Sequence, residues 1–335
     1  MKKKACVIFG GLGYVGLFLA KNIIESKLYD KVFLTDILTI DDISLYRQDL
    51  IKNLDYEYRN IDVREEISID SNYEISTIYN LAAIHREPGH KSEEYFRTNI
   101  RGAENVCKFA SKVECNKVIF ISSISPYGTS SKARDEDSLT MPNTPYGISK
   151  LIAEKIHCEW NTSNDKNKLI IFRPGVIFGP DENGNMERMI KAIKKNIFVF
   201  TGNKNLKKAG IYIKEFIKII LWTVNKNQNK QELINVTFEP CPKVSDYEFA
   251  IKNVLKRNAF TPSVPFRFIL LISYLITFFT KLLRINDFFH PVRVKKLLIS
   301  NDIEAGYLKR NEYKFSYNLQ NSFEDWKKEL PTDWK

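Results

Sequence analysis

A run of glycines at the exit of a buried strand constrains this chain more than any other feature. Residues 5–9 (Ala-Cys-Val-Ile-Phe) read as a strand and pass directly into Gly10-Gly11-Leu12-Gly13-Tyr14-Val15-Gly16, after which residues 17–26 read as a helix. Gly11, Gly13 and Gly16 satisfy a GxGxxG spacing, and Gly10, Gly13 and Gly16 satisfy GxxGxxG. Glycine patterns alone are weak, but one lying between a strand and a helix is in the context the chemistry requires. Without Cβ atoms the backbone turns tightly and lets a pyrophosphate approach the helix N-terminus, where free N–H groups point at its charge.

Apolar strands then alternate with helical stretches. Residues 32–35, 77–81, 117–122 and 169–173 read as strands, the last preceded by a helix over about 146–160. That alternation predicts an α/β fold: a Rossmann-type doubly wound parallel sheet with a smaller C-terminal substrate lobe. The expected division is a dinucleotide-binding domain over 1–175, with a returning segment around 209–228, and a lobe over 176–335 lying at the carboxyl edge of the sheet.

Five cysteines (6, 107, 115, 158 and 241) are scattered with no CxxC, which points to a reduced, cytoplasmic protein. His85 and His90 lack a metal-ligand pattern, so no metal is expected. Lys2-Lys3-Lys4 is followed by an apolar stretch that glycines interrupt, which does not read as a secretory signal. The net charge is +11, and residues 188–214 hold seven lysines and no acid. Such a face attracts anions, but it lacks the interleaved aromatics that single strands stack on, so nucleic acid is not an expected partner.

Asp36, 20 residues after Gly16 at the end of the second strand, can accept hydrogen bonds from ribose hydroxyls and would repel a 2′-phosphate, favouring NAD over NADP. Asp62, after another short extended run, is placed to meet the adenine edge. Tyr146 and Lys150 stand four apart at the start of a helix, on one face. There the lysine can stabilise a tyrosinate and hold the nicotinamide ribose, and the tyrosinate can take the proton of a sugar hydroxyl. Ser123, where the strand 117–122 exits, can bond the same oxygen.

With these residues in order, the chain resembles an extended short-chain dehydrogenase/reductase of the NAD-dependent epimerase/dehydratase family. The matching pieces are GGLGYVG at 10–16, LAA at 81–83, SSISPYG at 122–128, YGISK at 146–150 and RPGVIFG at 173–179. The resemblance implies a catalytic set of Ser123, Tyr146 and Lys150. It implies a cofactor site of Gly10, Gly13, Tyr14, Val15, Gly16, Asp36, Asp62, Leu81, Ala82, Ala83, Ser122 and Pro174 beside that pair, and a structural role for Asn99. Family 4,6-dehydratases resemble one another in carrying Thr-Asp-Glu where this chain has Ser123-Ile124-Ser125, so elimination lacks its acid here. A 4-epimerase recycling its NAD is the leading expectation. An NAD(P)H-dependent 4-ketoreductase and a catalytically silent binding protein are the alternatives.

The stretches 82–87, 182–190, 201–213 and 291–297 are similar to bacterial polyprenyl-diphosphate-N-acetylglucosamine 4-epimerases and their O-antigen and capsule relatives. This chain departs from them at Glu87-Pro88 and Ala209-Gly210. The implied substrate is a diphosphate-linked sugar, on a polyprenyl or a UDP carrier, contacted by His85, Arg86, Ser123, Ser125, Asn185 and Lys207. A homodimer is expected. In the segment 264–285, residues 268–280 are uncharged and too few to span a bilayer. Flanked by Arg267, Lys281, Arg284, Arg293, Lys295 and Lys296, the segment reads as a helix on an anionic membrane surface, with a lid or a dimer contact as alternatives.

Overall fold

The computed structural model describes residues 2–86, 89–130, 132–226, 229–271, 273–274 and 300–335. Residues 275–285 and 291–297, with Ile272, Glu87 and Pro88, lie outside the described residues, so most of the apolar segment and the basic run after it do too. The strands are β1 (Lys4–Phe9), β2 (Lys31–Asp36), β3 (Glu57–Asn60), β4 (Glu74–Asn80), β5 (Lys117–Ile121) and β6 (Lys168–Pro174). Beyond them come β7 (Val176–Phe178), β8 (Phe200–Thr201), β9 (Gly210–Tyr212), β10 (Gln231–Val236) and β11 (Ser263–Val264). The main helices are α1 (Tyr14–Glu25), α2 (Leu45–Ile51), α3 (Ser92–Tyr95), α4 (Arg101–Lys112), α5 (Pro145–Thr162), α6 (Asn185–Lys194), α7 (Ile213–Lys226) and α8 (Val244–Leu255).

Seven strands pair in parallel in the order β10-β6-β5-β4-β1-β2-β3, so the expected doubly wound sheet is present. Alternate residues feed opposite cores, as the twofold period of a strand requires. Cys6 and Ile8 of β1 join the core packed by α1 and α7, while Ala5, Val7 and Phe9 join the core packed by α4 and α5. Strand order reverses between β1 and β4, and the crevice at the carboxyl ends of these strands is where such sheets bind ligands. The segment expected to return, 209–228, supplies β9 and α7, and the chain then adds the edge strand β10 to the main sheet from residues beyond it.

Two short parallel pairs, β7–β9 and β8–β11, together with α6, α8 and the helices Gly306–Arg310 and Leu319–Glu329, make the smaller lobe. An aromatic cluster joins it to the sheet. Phe178 stacks on Phe323 at 5.1 Å, and Trp326 meets Trp334 edge-on at 5.9 Å. These rings belong to the same core as α1 and α7, so the lobe shares the interior of the sheet. Among the described residues, no helix is long and apolar enough to cross a membrane.

Candidate active site

The glycine loop is shaped by collisions that other residues would cause. Gly10 has φ +74°, and a Cβ there would lie 2.8 Å from the Ala82 nitrogen, so β1 can run against the Leu81–Ala82 backbone only with glycine. A Cβ on Gly16 would fall 2.3 Å from the Gly10 oxygen, because α1 sits directly on the loop. The helix begins earlier than its hydrophobic pattern indicates, with Gly13 as N-cap and Tyr14, Val15 and Gly16 in the first turn. Gly13 has no side chain to cap that turn. Its N–H groups are therefore the natural partners of a pyrophosphate.

Asp36 closes this side. Its carboxylate accepts the Leu12 N–H at 3.1 Å and the Leu38 N–H at 3.1 Å, tying the end of β2 to the glycine loop. Burial pushes its carboxyl up, opposed by those backbone donors. Asp62 follows β3, whose Asn60 pairs with Asp36, so both acids stand at one edge. Arg64 donates to both Asp62 oxygens at 2.9 Å and holds that carboxyl below the usual range, which leaves Asp62 already neutralised. Leu81, Ala82 and Ala83 are half-buried across the loop, and Pro174 is buried with its carbonyl accepting the Ile124 N–H at 3.2 Å. The Tyr14 side chain packs away among Phe18 and Arg47, leaving its backbone to the loop. An uncapped helix N-terminus, glycines where a Cβ would collide and an acid at the end of β2 fit an NAD pyrophosphate and ribose.

The second side is α5. Thr144 caps it by accepting the Gly147 N–H at 3.1 Å, and Pro145 fixes the first turn. Tyr146 is half-buried in that turn, its ring 6.1 Å from that of Tyr95. Lys150 follows one turn later and is only 2% exposed. Its Nζ donates to the Ile121 carbonyl at 2.6 Å and lies 4.3 Å from the centre of the Phe120 ring. Burial pulls this ammonium down to about 7, with Glu154 opposing. Two residues past Ile121, Ser123 receives the Ser125 N–H at 3.1 Å and sits 3.0 Å from the Ser125 hydroxyl. The structure thus brings Ser123, Tyr146 and Lys150 to the carboxyl end of β5.

The buried hydroxyl of Ser122, at the end of β5, donates to Glu154 at 2.5 Å. Glu154 also receives Arg173 through two bonds of 2.9 and 2.6 Å, and both residues are buried. Arg173 is consequently one half of a core ion pair. Asn99 clamps the Ile84 backbone from both sides, at 2.8 and 3.0 Å, and donates to Ser149 beside Lys150 at 2.9 Å. Under the ammonium, Phe120 stacks on the buried His157 at 4.2 Å. Sequence inspection missed this partner, although Lys150, Glu154 and His157 follow the i, i+4, i+7 spacing of one helix face.

The substrate edge is less regular. His85 and Arg86 are exposed just after β4. Beside Ser125 opens a cavity of about 170 Å³ lined by Ile124, Thr129, Arg134, Asn143 and Asn301 among others. Arg134 Nε is buried with no hydrogen-bond partner among the described residues. Neither Asn185 nor Lys207 lines this cavity. Asn185 is exposed at the start of α6 and accepts from Arg188 at 2.8 Å, and Lys207 is paired with Asp302 at 2.9 Å. Asn301 lies far along the chain from Arg134 and Asn143, and no spacing announces the three together.

The chain is 26% identical over 279 residues to N-acetyl-alpha-D-glucosaminyl-diphospho-ditrans,octacis-undecaprenol 4-epimerase of Escherichia coli O157:H7, covering 80% of this chain and 84% of that one. Its fold is similar to the UDP-glucuronic acid 4-epimerase from Bacillus cereus in complex with NAD (TM-score 0.74, 18% identity, 99% and 100% of the two chains). It is also similar to the UDP-N-acetylglucosamine 4-epimerase from Methanobrevibacter ruminantium M1 in complex with UDP-N-acetylmuramic acid (TM-score 0.71, 19% identity, 100% and 98%). Residues 6–237, well over half of the chain, match the family model itself, and the chain belongs to the NAD dependent epimerase/dehydratase family.

Proposed function

We propose that this protein is an NAD-dependent 4-epimerase of an N-acetylhexosamine carried on a diphosphate, acting in surface polysaccharide biosynthesis. The observation that carries the reading is the convergence of Ser123, Tyr146 and Lys150 at the end of β5, with the Lys150 ammonium anchored on the Ile121 carbonyl. The name of the Escherichia coli relative, whose sugar is linked through a diphosphate to undecaprenol, supports the carrier and the acetylated sugar.

Gly10, Gly13, the first turn of α1 and Asp36 would hold NAD, which supplies a hydride acceptor for the sugar carbon and, once reduced, a donor for the return. Tyr146 takes the proton of the C4 hydroxyl as that carbon is oxidised, and gives it back when the carbon is reduced from the other face. Lys150 stabilises the phenolate form of the tyrosine one helical turn away, the state that accepts the proton. Ser123 holds the reacting oxygen, with Ser125 setting its orientation. Ile124 packs with Tyr127, Ala209, Cys241 and Ile303, an apolar setting that offers no acid for elimination and favours epimerisation. Arg134 gives the neighbouring cavity a donor for a polar substituent of the sugar.

The test is to supply UDP-N-acetylglucosamine and undecaprenyl-diphosphate-N-acetylglucosamine in parallel and to identify the product sugars with and without added NADPH. The expected result is the C4 epimer without added reductant. Oxidation of NADPH on a diphosphate-linked 4-keto sugar, with no change in either 4-hydroxy sugar, would make the protein a reductase, and a 4-keto-6-deoxy product would make it a dehydratase.

A further inference from the structure

Two stretches of this chain are free of acids: residues 188–214, between Glu187 and Glu215, and residues 249–286, between Glu248 and Asp287. They are distant in sequence, and the lobe joins them. β8 and β11 pair in parallel, with Phe200 N–H bonded to the Pro262 carbonyl and Gly202 N–H to the Val264 carbonyl, both at 2.9 Å. Thr261 donates to Glu248 of α8 at 2.5 Å, which adds that helix to the same assembly. Joining them gathers a group of large apolar side chains in contact with solvent. Phe260 is 88% exposed, and Ile197, Phe249, Phe268 and Leu271 are each more than half exposed. Lys195, Lys204, Lys256 and Arg267 stand exposed among them.

We propose that this face of the lobe, built from residues 195–204 and 249–271, docks on an anionic lipid bilayer. Exposed aromatics with lysines and arginines, on two stretches that contribute no acid, make the combination that lies in a lipid interface: rings enter the headgroup region while cations meet acidic lipids. An acid from another helix, Glu324, lines one hollow with Lys256. An ordinary solvated face would carry both signs of charge and few large apolar groups. A protein-binding groove would give its rings a concave seat, whereas these project from a strand pair, a helix and a loop. The face also leads to the substrate edge. The Lys204 carbonyl accepts the Ser245 N–H, and three residues on the Lys207 carbonyl accepts the N–H of Asn301, which lines the cavity beside Ser125. A docked lobe would hold that cavity close to the membrane plane. The proposal stands on exposure and charge and does not depend on which sugar is epimerised.

The full chain is floated with vesicles of equimolar phosphatidylglycerol and phosphatidylethanolamine, and separately with phosphatidylcholine alone. Flotation is expected with the anionic vesicles, weaker as salt rises, and near background with phosphatidylcholine. Lys204→Glu with Arg267→Glu should weaken binding at least about tenfold, since each basic residue at an anionic surface contributes roughly a fivefold factor. Phe249→Glu with Phe260→Glu should abolish it. Both variants should keep the wild-type melting temperature and the turnover of any soluble UDP-sugar substrate. Absence of flotation with anionic vesicles, or flotation that neither variant weakens, would overturn the proposal. So would variants that change only the oligomeric mass, since the face would then be a contact between copies of the chain.

Discussion

The two edges of the cleft are made by opposite means. The cofactor edge is written in short contiguous stretches, Gly10 to Gly16, Asp36 and Leu81 to Ala83, whose glycines lie against backbone atoms and whose acid accepts backbone N–H groups. The substrate edge is gathered from Ile124 and Ser125, Arg134, Asn143 and Asn301, joined by backbone bonds such as Arg134 N–H to the Asp302 carbonyl at 2.9 Å but leaving a cavity between them. Backbone contacts at 2.3–2.8 Å from an added Cβ leave no room for any other residue. A side-chain-lined cavity can change its occupants while the fold stays the same. Under the proposed function the chemistry would fall on the rigid edge and on α5, and sugar selection on the adaptable one.

Four substitutions probe that contrast, from the largest effect to the smallest. Tyr146→Phe removes only the hydroxyl that handles the proton. It should lower the rate of epimer formation by roughly a hundredfold to ten-thousandfold while NAD remains bound, and a rate near wild type would break the mechanism. Glu154→Ala leaves the Arg173 guanidinium buried without its carboxylate and should destabilise the fold by about 3–5 kcal/mol in denaturant titrations. A loss under about 1 kcal/mol would show that α5 is not anchored through this pair. Gly16→Ala drives a methyl into the Gly10 and Gly11 carbonyls, and should cost about 1–3 kcal/mol and weaken NAD retention, read by absorbance of the purified protein. Lys207→Met breaks a half-exposed pair with Asp302 at the adaptable edge, and thermal unfolding should register no more than about 1 kcal/mol. If Lys207→Met cost more than Gly16→Ala, the division into rigid and adaptable edges would be wrong.

Much of the rigid edge was legible in the residues because its signals are local. A glycine between strand and helix, an acid at a strand end and a Tyr/Lys pair one turn apart each refer to geometry within a few residues. Ser122 shows where that reading stops. Successive residues at a strand end point opposite ways, so the Ser122 hydroxyl turns inward to Glu154 while that of Ser123 meets Ser125, and no local spacing tells the two apart. His157 lay on the helix face of Lys150 and was overlooked because its partner is the flat ring of Phe120, on another element. The start of α1 was placed late for a different reason: Tyr14 and Val15 belong to its first turn, where capping rather than apolar period marks the boundary.

By itself the sequence determined the parallel sheet, the phosphate-facing turn and the order of the residues at the end of β5, because strand alternation and glycine conformation are properties of short segments. Only the tertiary structure decided which charges were already spent, as with Asp62 on Arg64, Arg173 on Glu154 and Lys207 on Asp302. It alone showed that the two acid-free stretches share one face through the pairing of β8 with β11. Pairing partners and neutralised charges depend on which distant residues arrive at the same place, and no spacing along one chain encodes that directly.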